Sequence, residues 1–201
     1  MAQYVMHLLL STLFLLPHAT AQTRTKNTTQ GESTHTSRKP VIKRWYVFTG
    51  PDRDFVVEFP AKPKHEADSE APSGTMRNFA FNIDSMLFLL SYVDLGLDPA
   101  TTEGNQLPLD FRQSMLSHAK EQGWTVLRSQ LLRKNVYEQE TWSLTKSNPI
   151  RRLHYIERNI VRYGRQYILT CSSLLPEQKV SPEICRRFFD SFRVVREPQP
   201  Q

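Results

Sequence analysis

Met86 to Leu95, MLFLLSYVDL, constrains the fold of this chain more than any other stretch. Read as a strand, it places Leu87, Leu89, Val93 and Leu95 on one face and Phe88, Leu90 and Tyr92 on the other. Both faces are therefore apolar. A strand of that kind is stable only within a sheet that is covered on both sides. Helices on either side of the sheet are the expected cover.

Two segments have the pattern for it. Leu109 to Gln122 contains no internal Pro or Gly, sets Phe111, Met115 and Ala119 at i, i+4 and i+8 with Leu116 beside them, and stops at Gly123. The second is SPEICRRFFDSFRVV, Ser181 to Val195. On a helical wheel Ile184, Cys185, Phe188, Phe189 and Phe192 fall within an arc of about 140°, leaving Arg186, Arg187, Asp190 and Ser191 to the remainder. Ser181 is expected to cap this helix, with Pro182 in its first turn. The phenylalanines then read as core and the arginines as a solvated rim, so the helix is a lid on the sheet.

The other elements read as strands. RWYVFTG and DFVVEFPAKP flank the turn Gly50–Arg53 and form a hairpin, which Pro60 and Pro63 end. KHEADSEAPSG reads as a polar loop. In RNFAFNID, Phe79, Phe81 and Ile83 share one face and Asn78, Ala80 and Asn82 the other. WTVLRSQLLRK, NVYEQETWSLTK, IRRLHYIERNIVRY and RQYILTCSS then alternate, with turns at Lys146–Pro149 and Gly164. The expected fold class is α+β: one domain over residues 45–196, an antiparallel sheet of about eight strands flanked by helices.

The ends of the chain read differently. Residues 1–21 hold no Lys, Arg, Asp or Glu, and an apolar run from Val5 to Leu16 leads to Ala19-Thr20-Ala21. This is the pattern of a signal peptide cleaved after Ala21, for a periplasmic or extracellular protein. The run is about 12 residues where a spanning helix needs roughly 20, so no transmembrane segment is expected in the mature chain. Residues 22–44 form a Thr/Ser-rich tail with Arg24, Lys26, Arg38, Lys39, Lys43 and Arg44 against Glu32, and a sequon at Asn27-Thr28-Thr29. With so little apolar surface to bury, the tail reads as a disordered spacer, as do residues 197–201. Its net +5 leaves only +1 of the chain's +6 for residues 45–201, which removes the main support for nucleic-acid binding.

DFVVEFPAKP, the double strand after it, the helix ending in QGW, the strand RQYILTC and the terminal RRFFDSFRVV resemble the PsbP-like family of exported bacterial domains. The wider fold group includes the photosystem II protein PsbP and a Ran-binding nuclear import factor. The resemblance, over roughly Trp45 to Val195, implies an α/β/α sandwich acting as a binding or assembly module. It carries no metal site onto particular residues.

The residues themselves add candidates. None of the six histidines makes an H-x-x-x-H or H-E-x-x-H pair; His65 beside Glu66, Asp68 and Glu70 reads as an acidic solvated loop. G-x-S-x-G and phosphate-cradling glycine motifs are absent, so neither a catalytic residue nor a cofactor is assigned. Alternation puts Arg152, His154, Arg158 and Arg162 on one strand face with Ile156 and Ile160, a basic stripe that either receives an acidic partner or pairs with Glu138 and Glu140 of the preceding strand. Cys171 and Cys185 are expected to form a disulfide after export, closing a loop of about 15 residues. The reading is an exported, monomeric, non-catalytic module for an unknown protein or envelope component. Two alternatives stay open: an envelope hydrolase with a dispersed triad, and a structural module held to an anionic surface by its tail.

Overall fold

The computed structural model describes residues 42, 44–144 and 152–195. The signal segment with its cleavage point after Ala21, nearly all of the tail, the Lys146–Pro149 turn and residues 197–201 lie outside the described residues.

The main sheet is antiparallel and eight-stranded. Its strands are β3 (Lys64–His65), β4 (Ser69–Ala71), β5 (Gly74–Ile83), β6 (Met86–Asp94), β7 (Thr125–Arg133), β8 (Val136–Leu144), β9 (Arg152–Arg162) and β10 (Arg165–Ser173). Their order is β3-β5-β6-β10-β9-β8-β7, with β4 paired to β5. The long strand β10 thus sits between β6 and β9, Leu169 facing Leu90 on one side and Arg158 on the other. These central strands are the most completely buried, as the two-faced apolar pattern of β6 requires. β9 passes into β10 through Tyr163 and Gly164, both at positive φ (52° and 69°). A Cβ on residue 164 would strike the Leu97 carbonyl, so only glycine fits this two-residue turn.

Each face of the sheet has its own cover. On one side lie helix α2 (Pro182–Ser191) and a second, three-stranded sheet of β1 (Tyr46–Thr49), β2 (Phe55–Phe59) and β11 (Arg193–Val194). Phe55, Phe59 and Phe188 from this cover meet Phe88, Leu90, Tyr167 and Leu169 of the sheet in the largest core cluster. Full burial of each phenylalanine contributes roughly 2 kcal/mol. On the other side helix α1 (Phe111–Glu121) lays Phe111 and Met115 on Tyr137 and Val161. Gly123, at φ 68°, ends that helix as expected.

Three expectations are corrected. The first hairpin forms, with Phe48 opposite Val57, but it leaves the main sheet and pairs with β11 to become part of the lid. KHEADSEAPSG is not simply loop: it contributes β3 and β4, both paired to β5, because backbone pairing to an edge needs no apolar side chains. Ser181 occupies the N-cap position of α2, but its hydroxyl makes no cap hydrogen bond. Ser191, outside the apolar arc, accepts the Glu58 N–H at 2.8 Å and donates to the Phe188 carbonyl.

Among the described residues β7 is a free edge of the main sheet. Its register on β8 slips twice, between Val126 and Arg128 and between Leu131 and Arg133, so Leu127 and Leu132 are inserted residues. Leu127, Leu131 and Leu132 are 45%, 54% and 42% exposed.

Candidate functional site

The stripe on β9 does not lie on an open strand face between His154 and Ile160. That face is roofed by α2 and the segment before it, so His154 is buried and Arg158 nearly so. Arg158 donates through Nε and Nη2 to Glu138 Oε2 at 3.0 and 2.8 Å, and through Nη1 to Asp190 of α2 at 2.9 Å. Its guanidinium also lies over the Phe189 ring. This is the cross-strand pairing with Glu138, extended to the helix above. Arg128 of β7 shares the same glutamate at 2.8 Å.

His154 is set between Glu140, whose Oε1 lies 3.0 Å from Nε2, and Val180, whose N–H donates to Nδ1 at 3.3 Å. Accepting at Nδ1 requires the neutral ring with its proton on Nε2. Burial lowers the histidine's pKa against the opposing pull of Glu140, and Lys179 lowers it further. Only the ends of the stripe face solvent. Arg152 pairs with Glu177 and stacks on Trp142; Arg162 lies over its neighbour Tyr163.

Cys171 of β10 and Cys185 of α2 meet in the core as two fully buried thiols. Burial pushes the Cys171 thiol well above its ordinary pKa, and its hydrogen bond with Cys185 adds to this. Such thiols are inert in the folded protein.

Two buried polar clusters escaped sequence reading. In the first, Arg165 is fully buried at the start of β10. It donates through Nε and Nη2 to Asp94 at 2.6 and 3.0 Å and through Nη1 to Asp54 at 2.8 Å, with Asp52 at 3.4 Å. Tyr167 also donates to Asp54, at 2.9 Å, and the guanidinium lies over the Tyr92 ring. Burial alone would lower the guanidinium's pKa; the Asp94 carboxylate, with Tyr167 and Asp54, overrides it and raises the value. Burial beside Asp54 raises the Tyr167 hydroxyl. The cluster ties the β1–β2 turn to the main sheet.

The second cluster lies under α1. Arg112 Nε donates to Ser129 Oγ at 3.2 Å, Ser129 and Tyr137 hydroxyls meet at 3.0 Å, Tyr137 donates to Gln139, and Gln139 to Thr141. Beside this row Gln166 donates to Asn159, and Asn159 donates to Glu157 Oε1 at 2.7 Å. Burial raises the Glu157 carboxyl to about 7, the Asn159 hydrogen bond opposing it. Thr170, directly opposite Glu157 on β10, has a buried hydroxyl with no hydrogen-bond partner among the described residues. The sequence signal for this seam was alternation, which sets Glu157 and Asn159 on the face of β9 opposite the basic stripe.

His65 lies 2.8 Å from Asp68 on the surface. Among the described residues no three His, Cys, Asp or Glu side chains are grouped to hold a metal ion, and no helix is long and apolar enough to cross a membrane.

No family model and no curated protein matches the chain. Among solved structures it is similar to cyanobacterial PsbP (CyanoP) from Synechocystis sp. PCC 6803, at 12% identity and a TM-score of 0.45, over 75% of this chain and 92% of that one. It is also similar to PA94, a Pseudomonas aeruginosa protein of unknown function, at 12% identity and a TM-score of 0.35, over 70% of this chain and 85% of that one.

Proposed function

We propose that this chain is an exported, non-catalytic binding or assembly module, cleaved after Ala21 and carrying residues 22–44 as a spacer ahead of the sandwich. The observation that supports this most is the use made of its charged groups. Arg158, His154 and Arg165 each join one layer to the next, through Glu138 and Asp190, Glu140 and Val180, and Asp54 and Asp94. Groups fixed in this way hold layers together, and recognition falls to the outer surface, including the exposed ends of the β9 stripe at Arg152 and Arg162. Affinity capture from the native envelope tests the reading. A partner retained by the wild type and lost when Arg152 and Arg162 are both changed to Ser supports it. A native protein whose N-terminal sequence still begins at Met1 defeats the export part, because the cleaved chain begins at Gln22.

Export implies oxidation of the cysteine pair. Since both thiols are buried once the lid closes, the bond must form earlier, while β10 and α2 are still accessible to a disulfide-donating oxidant. The cystine contributes about 3 kcal/mol in the chain-entropy model. Reduction is expected to lower the melting temperature by roughly 10 °C. Two thiols that alkylate freely in unfolded, unreduced native protein would rule the bond out.

A further inference from the structure

We infer that this chain forms a two-fold homodimer by antiparallel pairing of β7 with the β7 of a second copy, centred on Ser129. Among the described residues nothing pairs with the outer side of β7, so the strand presents a row of backbone N–H and C=O groups, the template that edge pairing uses. Bulges usually blunt such an edge, yet here both inserted residues are leucines, and three of the strand's nine residues are exposed leucines.

The register follows from symmetry. Side chains directly opposite each other across antiparallel strands share a face of the sheet. A two-fold pairing is therefore centred on a residue, never between two. Val126, Ser129 and Leu131 lie on the α1 face, opposite Thr141, Gln139 and Tyr137 of β8; Thr125, Arg128, Gln130 and Arg133 lie on the other, opposite Trp142, Glu140, Glu138 and Val136. Centring on Arg128 sets two guanidiniums against each other. Centring on Gln130 sets Leu127 against Arg133 and Arg128 against Leu132. Centring on Ser129 matches the edge to itself: Leu127 meets the second copy's Leu131, Val126 its Leu132, Thr125 its Arg133 and Arg128 its Gln130. Arg128 also enters already paired with Glu138 and Glu140, so it brings little net charge to the contact. The axis passes through a small side chain, which lets the two strands approach.

A single strand pair buries little area, so dissociation is expected in the micromolar range. Sedimentation equilibrium of the full chain up to about 200 µM is expected to give twice the chain mass, and Leu131→Lys the monomer mass at every concentration. Leu131 is exposed, so this variant keeps its fold, which circular dichroism confirms. Ser129→Cys is expected to form an intermolecular disulfide on mild oxidation, since opposed residues sit about 5 Å apart. Gln130→Cys, whose copies lie diagonally at about 7–8 Å, is not. A wild-type monomer throughout the range overturns the proposal. So does a dimer that survives Leu131→Lys, or one in which the Gln130→Cys variant cross-links and the Ser129→Cys variant does not.

Discussion

Arg165→Met is expected to cost about 3–5 kcal/mol of folding stability, the largest effect of any single charge removal in this chain. Among the described residues the variant leaves Asp54 fully buried with one oxygen already lacking a hydrogen-bond partner and the other held only by Tyr167. Asp94, being half-exposed, can return to water, so most of the penalty comes from Asp54. If so, adding Asp54→Asn to Arg165→Met recovers part of the loss, because the buried negative charge goes with the positive one. Guanidinium denaturation of the wild type, the single variants and the pair measures this. A loss under about 1 kcal/mol for Arg165→Met would show that the cluster is not what fastens the β1–β2 turn to the sheet.

Glu157 is expected to produce the largest pH effect. Its carboxyl titrates at about 7 when folded, above its ordinary value of 4.5. Below 4.5 both the folded and unfolded states hold the proton, and burial of the neutral acid carries no charge penalty. As pH rises from 4.5 to 7 the unfolded chain ionises first, so the folded state binds more protons and stability falls. Above 7 both are ionised and the deficit is complete, about 3 kcal/mol. Glu157→Gln keeps the oxygen that accepts from Asn159 while removing the charge. It is expected to abolish this slope and to exceed the wild type in stability at about pH 8 by a similar amount, with little difference at about pH 4. Denaturant midpoints for both proteins across this range check it; parallel curves would show that the folded carboxyl titrates normally.

The parts of this molecule legible in the sequence are those set by short-range periodicity. The period of two in Arg152–Arg162 correctly separates Ile156 and Ile160 from Tyr155 and Val161, and the helical arc of Ile184 to Phe189 correctly gives the buried face of α2. The partnership of Arg158 with Glu138 was legible too, because adjacent strands in a hairpin bring such residues together. Long-range pairings were not. Asp54, Asp94 and Arg165 come from three distant segments, and none belongs to a pattern that marks it as buried. Glu157 occupies a position where periodicity marks an inward face but says nothing of whether a charge there is neutralised. The first hairpin looked like part of one sheet because its residues carry the same β pattern as the rest. Only its pairing with Arg193 and Val194, from the far end of the chain, takes it elsewhere.

The central place of β10 has a consequence for how the chain is made. During synthesis β3 to β6 follow the β1–β2 hairpin and β7 to β9 come later, and neither of these two groups pairs with the other; among the described residues β10 alone bridges them, between β6 and β9. Until Arg165–Ser173 has left the ribosome, the main sheet exists only as two separate fragments, and the lid only as its β1–β2 hairpin, without α2 and β11. Contacts of such sequence separation form late and slowly. A chain that cannot close its core before it is nearly complete stays loose until late in synthesis, which suits the export proposed above.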